Sequence, residues 1–500
     1  MKIRTFIRKA ALIAVLPLAS QAVPLPFQTP TSQDAGTSPR GLAVGSLLGN
    51  GSQQLAVANF GSHTFIGLST PVSLTHAQDS TVQVFGLNGS ALSPIATIPT
   101  AQSPRGLAIL DAQSTGKGLL FVTAYEADRL QVFQWGRGSF RQVDEAPTLK
   151  MPVGVAAGRT RRDGTDFVAV ADYGAGQVSL FPLKDGKLGQ RTDIPVPGGP
   201  VQLAVGDLTG DGSGQIAVVC MNANQVVILS ASNADPSSFA VTRTLELPPG
   251  GSPSDLHLAD LNGDGRSDLV LADFTKNNVQ VFLQQADGSL DPQLPLSTTG
   301  QHPNGLTVAD LDGDKDLEIL VANRDSDTID VFDALNGTYA LEGTLTVAEG
   351  QDHSFGPVEL AVMKGQDGAA LVTTHMRTNS LKVVPLTLVA PTPTPDALAH
   401  GSHDRFSDET TYFYPNPARG GSVKLHFDLP GPSNVSVQVF DLTGTLVWDR
   451  TLPASATVAG ENSVDWDLTN QAGQALASGS YIGRFTVDGV SFTRKLAVIH

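Results

Sequence analysis

Apolar and polar positions along this chain fall into short strand-length runs, and the runs recur in sets. A set opens on a proline and a short apolar stretch. The first four are Pro39-Arg-Gly-Leu-Ala-Val, Pro104-Arg-Gly-Leu-Ala-Ile, Pro152-Val-Gly-Val-Ala-Ala and Pro200-Val-Gln-Leu-Ala-Val. Three more follow: Pro253-Ser-Asp-Leu-His-Leu, Pro303-Asn-Gly-Leu-Thr-Val and Pro357-Val-Glu-Leu-Ala-Val. Each leads to a second apolar run and then a third, which usually ends as in Val84-Phe85, Val132-Phe133, Leu180-Phe181, Val281-Phe282 and Val331-Phe332. In the fifth set, Asp255-Leu-His-Leu-Ala, Asp268-Leu-Val-Leu-Ala and Asn278-Val-Gln-Val-Phe-Leu read as three strands, and the proline-bearing Ser289–Leu296 segment as a ragged outer one. Near-continuous apolar runs in the first two strands fit burial on both faces. Repetition with a period of roughly fifty residues and several short strands per unit predicts an all-β, seven-bladed β-propeller over residues 23–388.

The seventh set lacks an outer strand after Leu381-Lys-Val-Val-Pro, whereas Val23-Pro-Leu-Pro-Phe-Gln-Thr resembles the outer strands that precede the other prolines. Residues 23–30 are therefore expected to complete the last blade and tie the two ends of the ring together. An insertion from Gly61 to Ser80 interrupts the first blade; loops of this length are functional or disordered. Downstream, Val389-Ala-Pro-Thr-Pro-Thr-Pro opens a Pro-rich linker over 389–411, which extends rather than packs; His400 and His403 read there as solvated polar residues. Residues 412–500 return to alternating strands, among them Lys424-Leu-His-Phe-Asp-Leu and Val435-Ser-Val-Gln-Val-Phe-Asp, and predict a small β-sandwich.

With 51 Gly and 32 Pro the composition suits a turn-dense β protein. A formal charge of −16, dispersed rather than in blocks, argues against nucleic acid as a partner. The first 22 residues carry Lys2, Arg4, Arg8 and Lys9, then an apolar run from Ala10 to Ala19 and small residues at Ser20-Gln-Ala22, the pattern of an export signal. That run is too short to span a bilayer and no later one is longer, so no transmembrane segment and a secreted or cell-surface location are expected. Cys220, the single cysteine, lies in an apolar run and reads as a core residue rather than a nucleophile.

Two turns between first and second strands are dense in oxygen ligands. In the fifth blade Asp260, Asn262, Asp264 and Asp268 stand at positions one, three, five and nine; in the sixth, Asp310, Asp312, Asp314 and Glu318 do. A backbone carbonyl near position seven (Arg266, Asp316) would complete a shell for one hard cation, so the implied cofactor is calcium in a structural role. The fourth blade carries a weaker copy, Asp207, Thr209 and Asp211, with Gln215 at position nine. The alternative is that Asp, Asn and Gly are simply good turn residues.

The phrase Ala259-Asp-Leu-Asn-Gly-Asp-Gly followed by Asp268-Leu-Val resembles the FG-GAP or VCBS repeat of integrin α-subunit propellers and many exported bacterial proteins. Val57-Ala-Asn-Phe-Gly-Ser and Val321-Ala-Asn-Arg-Asp-Ser are also similar to surface-layer and lactonase-type propellers. Tyr414-Pro-Asn-Pro417, Phe440-Asp-Leu-Thr-Gly444, Trp466-Asp, Ser478-Gly-Ser-Tyr481 and Arg494-Lys-Leu-Ala-Val-Ile resemble the immunoglobulin-like domain of flagellar hook-capping proteins and the C-terminal sorting domain of type IX secretion. The second likeness implies translocation by a secretion machinery, then surface attachment or release.

In such a ring the loops before first strands and between second and third strands share one face. That face gathers Arg40, Arg105, Asp255, His302, Asn304 and Glu359 near the axis, with His63, Tyr125, Tyr173, Asn222, Phe274, Arg324 and His375 around them. No nucleophile–base pair or phosphate loop stands out, so no catalytic residue is assigned. The reading is a non-enzymatic module for a glycan or protein partner. The alternative is a secreted polysaccharide lyase or lactonase, with Arg40, Arg105 and His302 or His375 as the groups available to it.

Overall fold

The computed structural model describes residues 27–499 except 62–79, 112–116, 161–164, 211, 233–237, 312–315, 336–337, 348–355, 366–367, 387–411, 415–417, 420–421, 430, 442–445, 471–472, 478 and 488–489. The expected export signal, the first-blade insertion apart from its two end residues, and the Pro-rich linker from residue 389 therefore lie outside the described residues, as do Asp211, Asp312, Asp314 and His63. The chain divides into two compact units, Met1–Pro391 and Thr392–His500.

In the first unit each sequence repeat becomes one antiparallel sheet of four or five strands, and there are seven such sheets. Their first strands are Pro39–Gly45, Pro104–Leu110, Pro152–Arg159, Pro200–Gly206, Pro253–Ala259, Pro303–Ala309 and Pro357–Lys364. Each packs against the first strand of the next sheet, and the last packs against the first. The result is a closed β-propeller ring. Second strands such as Gln54–Asn59, Asp268–Asp273 and Glu318–Asn323 are buried at every position, as their unbroken apolar runs require of a strand sandwiched between neighbouring blades. The core is correspondingly divided among the interfaces between successive blades: Leu320, Val331, Leu371 and Val384 fill one of them, Phe121, Val132, Val168 and Phe181 another.

The hairpins into the third strands turn on left-handed residues, Asp128, Asn224, Asn277, Asp327 and Asn379 with φ of 50–56°, and Gly176 at 65°. Asn, Asp and Gly tolerate this region best.

Ring closure does come from the N-terminal segment, but the paired strand begins at Thr31, just past the expected 23–30. Thr31–Asp34 pairs antiparallel with Ser380–Leu386 as the outer strand of the seventh sheet, and among the described residues of the expected span Phe27 makes an isolated bridge to Leu386 and the Gln28 N–H donates to the Pro385 carbonyl at 2.9 Å. Thr31–Asp34 offers four consecutive proline-free positions, and a ladder needs N–H donors. Ser38 N–H to Asn379 Oδ1 (2.8 Å) and Thr374 Oγ1 to the Arg40 carbonyl (3.2 Å) add cross-links between first and last blades.

The second unit is an immunoglobulin-like sandwich. One sheet contains Tyr412–Tyr414, Val423–Leu429 and Gly460–Trp466; the other contains Ala418–Arg419, Val490–Ile499, Gly479–Val487, Val435–Asp441 and Leu446–Leu452. Alternate residues Val423, Leu425, Phe427 and Leu429 face Val435, Val437 and Val439 across the core. Trp466 closes it, stacked on Trp448 at 5.0 Å, with its indole N–H donating to the Thr469 carbonyl at 2.9 Å.

Candidate functional site at the channel mouth

Where first strands begin and second strands finish, the seven blades enclose a cavity of about 170 Å³ around the ring axis. Its composition follows from the repeat. The second residues of the first strands are Arg40, Arg105, Val153, Val201, Ser254, Asn304 and Val358, and all seven line it. The third residues are Gly41, Gly106, Gly154, Gln202, Asp255, Gly305 and Glu359. Glycine stands here because neighbouring strands come too close for a side chain. A Cβ on Gly41 would lie 2.0 Å from the Arg105 carbonyl oxygen, and one on Gly106 would lie 2.2 Å from that of Val153. Above this collar, the residue after each second strand forms a rim: Phe60, Tyr125, Tyr173, Met221, Phe274, Arg324 and Met376.

Most polar groups of the collar are spent on joining blades. Ser254 Oγ donates to the Pro303 carbonyl (3.0 Å), Asn304 Nδ2 to that of Val358 (3.2 Å), and Thr123 Oγ1 to that of Val153 (2.8 Å). Asp255 is buried and its carboxylate accepts the N–H groups of Leu306 and Leu256, each at 2.8 Å. Arg40 lies over the Phe60 ring at 4.6 Å and Arg105 over Tyr125 at 5.3 Å, in a cation–π arrangement. Among described residues the Arg105 guanidinium has no hydrogen-bond or ion-pair partner.

Desolvation inside the ring lowers the Arg40 pKa to about 9, with Arg105 contributing repulsion, and it lowers Arg105 as well. Desolvation and the nearby Asp255 push Glu359 well above the usual carboxylate range, against the pull of Arg105 and Arg40. Desolvation also raises Asp255, opposed by His257 and its hydrogen bonds, and lowers His257.

On the rim, His302 Nδ1 lies 2.6 Å from Asp325 Oδ2, and its ring stacks on Phe274 with centroids 4.4 Å apart. Arg324 covers the same phenyl ring at 4.6 Å and pairs with Asp325 at 2.8 Å. Burial pushes Asp325 up, but Arg324 and His302 outweigh it and hold the carboxylate below its usual pKa. His302 sits at φ 57°, and Ser38, Ser103 and Met151, at the matching position before the first-strand proline, share the left-handed region. Backbone strain is thus concentrated at the end of the ring that holds the cavity.

Of the residues singled out from sequence, Arg40, Arg105, Asn304 and Glu359 line the cavity. Asp255 lies buried in the collar, His302 stands on the rim, and His375 is the last residue of its second strand, 2% exposed. Sequence reasoning missed Gln202, Ser254, Met221 and Met376. The signal was the repeat register: Met221 and Met376, not Asn222 and His375, occupy the rim position of Phe60 and Tyr125.

The acidic turns lie at the opposite ends of these strands. In the fifth blade Asp260 Oδ1 and Asn262 Oδ1 both accept the Asp264 N–H at 3.0 Å, so two prospective metal ligands converge. Asp264 instead pairs with the Arg266 guanidinium at 2.5 Å. Asp268 accepts the N–H groups of Leu261 (2.9 Å) and Gln284 (2.7 Å); burial, with Asp264 and Asp260 repelling, raises it to about 6. In the fourth blade Asp207 accepts from Gly210 and Gly212. Among described residues no group of three or more His, Cys, Asp or Glu is placed to hold a metal ion. The oxygen-only donor set and the crowding of carboxylates fit a hard cation, provided Asp264 leaves Arg266.

Position nine has a role that needs no ion. Gln54 Oε1 accepts the Leu47 N–H (2.8 Å), Gln215 Oε1 that of Leu208 (2.6 Å), Asp268 Oδ2 that of Leu261 (2.9 Å), and Glu318 Oε2 that of Leu311 (2.5 Å).

Comparison with known proteins gives two short family matches. Residues 260–321 match the FG-GAP-like repeat and residues 416–489 the FlgD Ig-like domain. No curated protein matches the chain in sequence. Similar solved structures include hydrazine synthase of Kuenenia stuttgartiensis (14% identity, 72% of this chain and 98% of that one, TM-score 0.49). Others are a Lactobacillus plantarum protein (17%, 62% and 85%, TM-score 0.46) and a candidate 6-phosphogluconolactonase of Bacteroides uniformis (18%, 67% and 97%, TM-score 0.45). None of the three informs the function assigned below. Among described residues no helix is long and apolar enough to cross a membrane.

Proposed function

We propose that this chain is an exported, calcium-stabilised and non-catalytic binding module that engages a glycan or protein partner at the channel mouth. The observation that carries the reading is the division of labour in the collar. Ser254, Asn304, Thr123 and Asp255 hold blades together, whereas the guanidinium of Arg105 and the carboxyl of Glu359 are spent on no hydrogen bond to a described residue. A concave site with a few uncommitted polar groups over aromatic walls is a binding site by its chemistry.

Calcium belongs to the same proposal. Asp260, Asn262, Asp264 and Asp268, with the carbonyl of Arg266, would hold one ion; Asp310, Asp312, Asp314 and Glu318, with the carbonyl of Asp316, would hold a second; Asp207, Thr209 and Asp211 are a weaker third set. Bound there, the ion supplies charge neutralisation that fixes the turn. The proposed assignment to the FG-GAP/VCBS group as a seven-bladed member rests on the matched repeat and the seven sheets. Delivery to the cell surface or medium through the C-terminal domain rests on the N-terminal export pattern and on the sequence likeness of residues 412–500 to sorting domains.

A second reading, a lyase or lactonase, is favoured by one observation: the His302–Asp325 pair beside Arg324 has the make-up of a general base held by a carboxylate. A panel of polysaccharides and host-type glycans, scored for both retention and new chain ends, separates the two. Retention without cleavage supports the module; new chain ends establish the enzyme; neither outcome on any member rules out a glycan and leaves a protein partner as the reading to pursue.

A further inference from the structure

Resting on the reading of the channel mouth as a ligand site, we propose that its ligand is a carboxylated sugar, whose carboxylate docks on the guanidiniums of Arg40 and Arg105 and whose ring lies in the cavity below the Phe60–Tyr125 side of the rim. Three observations converge on that chemistry. Both arginines line one cavity of about 170 Å³, and each is held over an aromatic ring that fixes its plane. A guanidinium so held presents a preorganised fork that matches a carboxylate edge. Among described residues Arg105 has no hydrogen-bond or ion-pair partner, and the rim carboxylate Asp325 is paired with Arg324.

Glu359 and Asp255 restrict the charge the site accepts. Glu359, which lines the cavity with both arginines and has Asp255 behind it, disfavours a dianion such as phosphate. A single carboxylate is compatible, because it brings less negative charge beside Glu359 than a phosphate does while the arginines hold that charge. The shape then selects the carrier. Seven first strands surround the cavity, so it admits a compact group rather than an extended peptide, whose recognition depends on a run of backbone partners along a strand edge. The thioethers of Met221 and Met376 line the cavity and offer apolar surface to the C–H face of a pyranose, while Phe60 and Tyr125, with ring centroids 5.7 Å apart, back the two arginines.

The test is calorimetric titration of the full chain with a glucuronate trisaccharide, its methyl ester, a neutral glucose trisaccharide, an aspartate tripeptide and inorganic phosphate. Expected is binding of the free acid, with the ester at least about tenfold weaker, since one charge-assisted contact is lost. Arg105→Gln should weaken the acid by at least about tenfold without lowering the melting temperature, and Arg105→Lys should fall between. The ester comparison uses the parent protein, so the proposal is tested even if a variant fails to fold. Equal affinity for acid and ester, both abolished by Asn304→Trp, would overturn the carboxylate assignment and leave the channel-mouth reading standing. Preference for the peptide or for phosphate would overturn the sugar. Binding of no probe by the folded chain would overturn the proposal outright, and the channel-mouth reading then depends on the wider glycan panel.

Discussion

Removing the position-nine oxygen of the sixth blade separates its structural role from a metal role. Glu318 Oε2 accepts the N–H of Leu311, a residue 3% exposed, so Glu318→Ala strands a buried donor. The expected cost is about 1–3 kcal/mol. Glu318→Gln keeps an oxygen of the same reach, and two blades already use that amide: Gln54 toward Leu47 and Gln215 toward Leu208. In chelator-treated buffer Glu318→Gln should therefore stay within about 0.5 kcal/mol of the parent. Adding calcium changes the comparison. An ion that binds only the folded chain stabilises by about 2.7 kcal/mol at a hundred times its Kd, and the glutamine variant has lost one of the carboxylates that would hold it. Scanning calorimetry of the three proteins with chelator and with calcium gives both numbers. If Glu318→Gln is as damaging as Glu318→Ala without calcium, the hydrogen-bond argument is wrong. If calcium raises the parent and Glu318→Gln equally, Glu318 is not a ligand.

Three further outcomes are expected. A chain beginning at Ala35 loses the strand Thr31–Asp34 and the Lys382 Nζ to Ser32 Oγ contact, and should melt several degrees lower; an unchanged melt would contradict closure by this strand. Asp172 is buried, and burial raises its pKa to about 7 while Ser179 opposes the shift. The folded chain thus holds this proton more tightly than the unfolded chain, so the contribution of Asp172 to stability falls as pH rises from about 4 to about 7. Asparagine occupies the same place in two other blades, as Asn59 and Asn323. Asp172→Asn should therefore remove this dependence and gain on the order of 1–3 kcal/mol at pH 8; melting curves at pH 5 and 8 that match the parent would contradict it. Glu359→Gln should remove the pH dependence of ligand binding that arises as Glu359 ionises between Arg40, Arg105 and Asp255, while keeping the affinity measured at low pH; an unaltered pH profile by titration would show that Glu359 does not face the ligand.

The ring was legible because each repeat writes its own boundaries: a proline opens the first strand, an unbroken apolar run marks the doubly covered second, and a hydrophobic pair such as Val281-Phe282 ends the third. Arg40 and Arg105 were legible as axial residues for the same reason, since the proline fixes their register. What could not be read depends on neighbours distant in sequence. Whether Ser254 faces a ligand or the carbonyl of Pro303 is decided by the next blade, as it is for Asn304 and Val358. Asp264 was read as a free ligand because spacing does not reveal that Arg266 turns back onto it. The closing strand was misplaced because apolar resemblance at Val23–Thr29 outweighed the requirement for consecutive N–H donors, which Thr31–Asp34 meets.

The most direct test of the channel mouth as the functional site is a glycan array probed with the full chain and with the Arg40→Gln, Arg105→Gln double variant, both checked for identical melting. The account predicts retention of the parent on acidic glycans and loss of that retention in the double variant. Equal retention of the two proteins would contradict it, and retention of neither would rule out a glycan and leave a protein partner.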